Sequence, residues 1–301
     1  MTDALASLGL PELVAGAMML ALNAYVLMGG ADFGGGVWDL LAHGSRGEAQ
    51  RALVADAIGP IWEANHVWLI VVVVLLFTAF PTVYAALGIV LHIPLSLMLV
   101  GIVLRGSAFV FRSYGSAGDA PQRRWGRVFA IASTITPVLL GVIIGAIASG
   151  AVGAAAARIR DGGAGADPAS FATLYVAPWL TPFALAVGAQ ALALFAFLAA
   201  VYLTLAAGDD AVREDFRRRA LAAAAAVLVT AVATAWLAAS RAPLVGTELV
   251  AAPWALLLQV ATGAAALSVI WALWTRRWAL ARLAAAAQVS CILWGWALVQ
   301  Y

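Results

Sequence analysis

The sequence has no lysine, a single cysteine and few charged residues of either sign. All 17 of its basic residues are arginine, and charged residues make up 11% of its 301 residues, about half the share that is usual in soluble domains. Cys291 alone can form neither an internal disulfide nor a cysteine-based metal site. The net charge of +2 is too small and too dispersed for nucleic-acid binding. These absences exclude a soluble, a disulfide-stabilised and a nucleic-acid-binding protein.

Long apolar stretches are what the sequence has instead. Stretches that can cross about 30 Å of hydrocarbon, roughly 20 residues each, occur at 11–33, 53–79, 82–111, 127–150, 172–207, 220–240, 249–275 and 278–300. The first ten residues carry no basic segment, so the first stretch is predicted to be a retained helix rather than a cleaved signal peptide. We therefore expect an all-α integral membrane protein with eight transmembrane helices.

Composition also predicts how these helices are arranged. Segment 151–170 is rich in alanine and glycine and is the best candidate for a linker. It separates a first four-helix bundle, residues 1–150, from a second one, residues 171–301, which is expected to be scaffold and interface. Thirteen of the seventeen arginines lie in loops that follow odd-numbered spans. Arginine-rich loops face the cytoplasm, so both termini are expected on the outer, periplasmic side.

The glycine-rich run 29–36 ends the first span and contains Asp32. Glycines remove the side chains that would hold another helix or a bound group away. A frayed helix end is the alternative, with Asp32 and Asp39 reaching water at the membrane surface.

Span two carries Asp56, Glu63 and His66 at positions i, i+7 and i+10. On one continuous helix these residues lie within about 80° of one face, and Pro60 is expected to bend that helix. Polar residues that lie at increasing depth on one face favour a proton-conducting chain of side chains over a static ion pair. Water or another helix would have to bridge the distances between them.

Span three carries Arg105, about 10 Å from Arg112 along the helix. Because arginine stays charged in proteins, it needs a carboxylate close by, and Glu63 and Asp32 are the candidates. His92, nearer the outer side, is expected to be a hydrogen-bonded packing residue. The proton-transfer candidates are Asp32, Asp56, Glu63, His66 and Arg105.

Four motifs carry a resemblance to a known family. They lie at 30–36, 59–70, 80–86 and 104–112, and in order and spacing they resemble subunit II of cytochrome bd-type quinol oxidases. The resemblance implies a location in the bacterial inner membrane and a heterodimer with subunit I. That partner is expected to carry the b- and d-type haems, to oxidise quinol and to reduce dioxygen to water. Small single-helix subunits and membrane lipids are further expected partners.

The resemblance also implies what this chain itself contributes. It predicts a helix bundle with no catalytic residue, no bound cofactor and no metal, and in some members a proton route from the cytoplasm. Asp32, Glu63 and Arg105 match the family's polar intramembrane residues. Glu63 stands where aspartate is usual, His66 replaces a usual glutamate or glutamine, and eight spans stand where nine are typical.

Three other functions would each require different features of the sequence. Haem binding by the chain itself needs axial ligands, and only His66 and His92 lie inside spans, with nothing to pair them. A proton-coupled transporter predicts an inverted repeat with polar sites in both halves, whereas the second half has no histidine and essentially no acid in its span cores. A purely structural assembly partner, in which the polar residues form a buried brace, is the third.

Overall fold

The structure is a computed structural model that describes residues 9–59, 62–114, 119–162 and 168–300. Within these ranges all regular secondary structure is helical. The helices are α1 Leu10–Leu40, α2 Gly47–Ile58, α3 Trp62–Ala79, α4 Pro81–Val90, α5 His92–Tyr114, α6 Asp119–Ala148, α7 Ala151–Arg160, α8 Pro168–Tyr175, α9 Pro182–Ala206, α10 Asp210–Arg241, α11 Pro243–Ala251, α12 Ala255–Trp274 and α13 Trp278–Gln300.

Eight helices in the described ranges are long and apolar enough to cross a membrane. They are α1, α3, α5, α6, α9, α10, α12 and α13. The predicted fold class, an all-α membrane protein with eight spans, is confirmed. The eight predicted stretches each overlap one of these helices, although several of their limits differ.

Four predicted spans are interrupted. In the stretch 249–275, α11 ends at Ala251 and α12 begins at Ala255. In the stretch 53–79, α2 ends at Ile58 and α3 begins at Trp62, while Pro60 lies outside the described residues. In the stretch 82–111, α4 ends at Val90 because Pro94 has no N–H to donate to the Val90 carbonyl one turn earlier. In the stretch 172–207, Thr181 starts α9 anew by accepting a 3.1 Å hydrogen bond from the Ala184 amide.

The predicted linker contains regular structure of its own. Gly150 adopts a left-handed conformation, with φ of 76°, and α7 begins directly after it and occupies residues 151–160. Val152 and Ala155 of α7 pack with Val90 and Leu91. The division into two four-helix bundles remains a prediction.

Helix α9 lies at the centre of the molecule. It packs against α1 and α6 from the first half and against α10 and α13 from the second. Its residues 194–201 are all buried, as its nearly uniform apolar sequence predicts, since a helix that is apolar all round belongs in a core.

Close backbone contacts fix α1 against α9. A Cβ atom at Gly34 would lie 1.9 Å from the carbonyl oxygen of Phe195, and one at Gly30 would lie 2.7 Å from the Phe195 ring. The interpretation of the glycine run as a frayed end is therefore wrong, because α1 continues through it to Leu40. The run instead lets two helices meet without side chains between them.

The arginine-rich loops lie at one end of the bundle. Arg46, after the first span, pairs with Asp215 of α10 at 2.6 Å. Arg276, after the seventh span, lies 3.7 Å from Glu214 of α10. The ends of spans one, five and seven therefore share one side of the molecule, as the arginine bias requires.

Candidate functional site

A buried carboxylate on α1 is held by an amide from α3. Asp32 is 3% exposed and accepts a hydrogen bond of 2.5 Å from the side-chain nitrogen of Asn65, which is 4% exposed. Asn65 is the one residue of α3 that is buried. The contact therefore fixes both the rotation of α3 and the position of the Asp32 carboxylate.

Arg105 on α5 brings a charge into the same region. It is 1% exposed, and its guanidinium carbon lies 4.8 Å from the ring centre of Phe33 and 5.3 Å from that of Phe129. Aromatic faces attract a guanidinium, most strongly where water is excluded. Arg105 also interacts electrostatically with Asp32, although the structure places the two side chains in no direct ion pair.

Tyr25 and His66 complete what we call the polar cluster, formed by Tyr25, Asp32, Asn65, His66 and Arg105. The rings of Tyr25 and His66 lie 5.9 Å apart, and the His66 ring lies 5.8 Å from Phe33. Tyr25 is fully buried, whereas His66 is half-buried. Both interact electrostatically with Arg105, so the five residues form one group contributed by α1, α3 and α5.

Several polar atoms of this cluster have no hydrogen-bond partner among the described residues. They are the Tyr25 hydroxyl, Nδ1 of His66, and Nε and Nη2 of Arg105. Burying such a group without a partner costs roughly 1–3 kcal/mol. The cluster therefore has unused hydrogen-bonding capacity that is concentrated around Arg105.

A second acid–arginine pair lies two turns away, towards the arginine-rich end. Arg112 of α5 donates to Asp39 of α1 at 2.9 Å. Asp39 follows Asp32 by seven residues, and Arg112 follows Arg105 by seven, so each step is about 10 Å along its helix. The two pairs therefore form two layers between the same two helices.

The remaining predicted residues lie apart from this cluster. Asp56 on α2 and Glu63 on α3 are both exposed. Asp56 lies on α2, whereas Glu63 and His66 lie on α3, and Pro60 between them lies outside the described residues, so the shared face of these three residues stays a prediction. Of the two carboxylates expected beside Arg105, the structure brings Asp32 there and leaves Glu63 outside.

His92 lies far from the cluster, at the start of α5. Its Nδ1 is 2.9 Å from the carbonyl oxygen of Ile89, and its ring packs edge-on against Tyr175 at 5.3 Å. These contacts agree with the expected packing role. No group of three or more histidine, cysteine, aspartate or glutamate residues in the described part of the chain could hold a metal ion.

Sequence reasoning missed Tyr25, Asn65 and the Asp39–Arg112 pair. A signal for two of these residues was present, because Tyr25 and Asp39 lie seven residues before and after Asp32 and therefore share one face of α1 with it. Asn65 had no such signal, since it is uncharged and lies in a helix that is apolar on every side.

Comparison with known proteins gives one consistent result. Residues 10–301 match the family model described as cytochrome bd terminal oxidase subunit II. The chain is 34% identical over 124 residues to the cytochrome bd ubiquinol oxidase subunit 2 of Bacillus subtilis (strain 168), a match that covers 40% of this chain and 34% of that protein. It is 29% identical over 133 residues to the cytochrome bd-I ubiquinol oxidase subunit 2 of Escherichia coli (strain K12), covering 43% and 33%. The matched part thus spans about a third of the length of these relatives.

A solved structure supports the fold. A chain of the bd oxidase from Geobacillus thermodenitrificans matches with a TM-score of 0.74 at 20% identity. The match covers 97% of this chain and 84% of that one. At this identity the likeness shows that the helices are arranged alike.

Proposed function

This chain belongs to the cytochrome bd terminal oxidase subunit II family, and from that premise we propose that it is the non-haem subunit of a quinol oxidase. The resemblance predicted from its four motifs is confirmed, and its eight apolar helices make it a multi-pass protein of the bacterial inner membrane. In the proposed complex it pairs with a haem-bearing subunit I that takes electrons from quinol and reduces dioxygen. The haems and the quinol site belong to that partner.

The exposed carboxylate of Glu63 is the observation that carries this proposal. Of the 18 residues of α3, 6% are buried. Val67 and Ile70, which lie one and two turns after Glu63, are 53% and 59% exposed. An ionisable group that faces lipid is costly and therefore rare. A protein partner that covers α3 and contacts Glu63 removes that cost, and subunit I is the partner that we propose.

The proposed proton route starts at the arginine-rich end, which we assign to the cytoplasm, with both termini in the periplasm. Protons enter near Asp56 and Asp32, pass Glu63, and reach the haem-bearing subunit, with His66 and Arg105 beside the path. The buried Asp32 on α1 contacts Asn65 of α3, and the opposite side of that helix carries the exposed Glu63. Protons taken from inside compensate the electrons from quinol and so build the membrane potential.

The test uses the complete oxidase with Asp32→Asn or Glu63→Gln. Each change removes a titratable proton while keeping the size of the side chain. We expect normal assembly and haem content, with proton uptake and oxygen consumption slowed about tenfold or more, in the range of losses for proton-transfer groups. Glu248→Gln on α11, an exposed glutamate in the other half, is the matched control and should leave both rates unchanged.

Unchanged rates in both variants, with normal haem content, would reject the proton route. A brace function is the alternative, and it is favoured by the packing of Arg105 between Phe33 and Phe129. A brace predicts that Glu63→Gln loses the partner subunit during purification. A proton route predicts an assembled enzyme that turns over slowly.

A further inference from the structure

We propose that the polar cluster encloses an internal water site, in which ordered water connects Arg105 to Asp32 and to the hydroxyl of Tyr25. Its part in proton transfer rests on the proposed function above. The presence of the water does not, and it is tested separately.

The unpartnered atoms converge on one charged residue. The Arg105 guanidinium and the His66 ring both lie against Phe33, at 4.8 Å and 5.8 Å from its ring centre. The Tyr25 ring lies 5.9 Å from the His66 ring. Arg105 and Tyr25 are each 1% exposed. Nε and Nη2 of Arg105, the Tyr25 hydroxyl and Nδ1 of His66 all lack a hydrogen-bond partner in the described part of the chain. Four buried polar atoms from three helices therefore need a common occupant.

The chemistry of these atoms favours water over an ion. The guanidinium offers donors only, the tyrosine hydroxyl and the imidazole can donate or accept, and the Asp32 carboxylate accepts. Water can serve all of them, because it both donates and accepts, and buried water usually makes about three hydrogen bonds. The carboxylate and the guanidinium have opposite charges, so the site has little net charge with which to retain an anion or a cation.

The place of Tyr25 on α1 gives the site a direction. Tyr25, Asp32 and Asp39 follow one another at seven-residue steps on the same face of the helix, a span of about 21 Å. Asp39 already has a partner, because it forms an ion pair with Arg112. Asp32 and Tyr25 instead belong to the cluster that contains the unpartnered atoms of Arg105 and His66. The water site therefore lies on the side of Asp32 away from the arginine-rich end.

The change Tyr25→Phe removes one oxygen atom and tests the site directly. In a high-resolution density map of the assembled oxidase, we expect ordered water about 2.7–3.2 Å from the Tyr25 hydroxyl and from Arg105. The variant should lose the water nearest position 25 and unfold about 2 °C lower, since water bonded to the hydroxyl loses a partner. Tyr84→Phe on α4, where the tyrosine is 39% exposed, is the matched control and should unfold at the unchanged temperature.

A dry site gives the opposite result. If the hydroxyl has no partner, its removal ends a desolvation penalty, so Tyr25→Phe would unfold at the same or a higher temperature, and the map would show no water there. Either outcome overturns the inference. Water in the map together with normal proton uptake in Asp32→Asn would overturn the proton route and leave the water site standing. A map without water at this site, together with slow proton uptake in Asp32→Asn, would overturn the water site and leave the proton route standing.

Discussion

Two acid–arginine pairs connect α1 and α5 with the same spacing, but only one of them closes into an ion pair. Asp39 and Arg112 meet at 2.9 Å, with the arginine side chain 22% exposed. Asp32 and Arg105 are more deeply buried, yet their charges are separated: the carboxylate binds Asn65, and the guanidinium lies against Phe33 and Phe129.

The difference between the two layers indicates a difference in what each contributes. A closed ion pair satisfies its own hydrogen bonds and holds two helices together, without any need for water. A buried pair that is held open keeps donors and acceptors available for other molecules, at a cost in stability. The Asp39–Arg112 layer is therefore suited to clamping α1 to α5, and the Asp32–Arg105 layer to the water site and the proton route proposed above.

The largest expected effect comes from replacing Arg105, the arginine of the Asp32–Arg105 layer. Arg105→Gln leaves the Asp32 carboxylate buried without a countercharge, a change that typically costs about 3–5 kcal/mol. We expect the purified oxidase to unfold at a markedly lower temperature or to lose its partner subunit. If Arg105→Gln proved no more destabilising than Arg112→Gln, the contrast between the two layers would not hold.

Removal of the amide that holds Asp32 should have a smaller but distinct effect. Asn65→Leu keeps the branching at Cγ but deprives a buried carboxylate of its hydrogen bond, which costs roughly 1.5–3 kcal/mol. The unfolding temperature should fall, and the carboxyl-stretch band of Asp32 in infrared spectra should shift, identified by its absence in Asp32→Asn. Asn65→Asp would place a second acid beside Asp32 and should be worse than Asn65→Leu.

The coupling between Asp39 and Arg112 can be measured by a double-mutant cycle. Asp39→Asn, Arg112→Gln and the double variant should give a coupling free energy of about 1 kcal/mol, with little change in proton uptake. Slow proton uptake in Asp39→Asn, at normal stability, would place the Asp39–Arg112 layer on the proton route. The proposed difference between the two layers would then not hold.

The smallest effect is expected for the exposed pair between Arg46 and Asp215. The Arg46 side chain is 50% exposed, so salt should screen the attraction almost completely. Arg46→Gln should lower the unfolding temperature slightly at low ionic strength and not at all in 1 M salt. A fall in unfolding temperature that did not depend on salt would mean that this loop contact stabilises the protein as the Asp39–Arg112 pair does.

The helices could largely be predicted from hydropathy, because crossing a membrane requires length and apolar composition. The end of α4 before Pro94 could not be placed in this way, since apolar residues continue on both sides of that proline. The close contact of Gly34 with Phe195 was also beyond prediction, because the glycine run does not say which helix approaches it.

The site could be predicted only in part, for a geometrical reason. Asp32, Arg105 and His66 were identified because charged or titratable groups are rare in apolar helices. The sequence offers both Glu63 and Asp32 as neighbours of Arg105. On α3, however, Asn65, two residues after Glu63 and about 200° around the helix, is the residue that faces inwards. On a helix that is apolar all round, no periodicity shows which side faces the core.

The contact of Gly34 with Phe195 also bears on how freely the two halves can shift. Alternating-access transport needs one repeat to rock against the other, and such sliding is easiest over a layer of side chains that can change rotamer. Here a backbone carbonyl of α9 lies where a Cβ atom of α1 would be, so the halves meet along rigid main chain. This junction favours a stationary scaffold, which is what the proposed proton route requires.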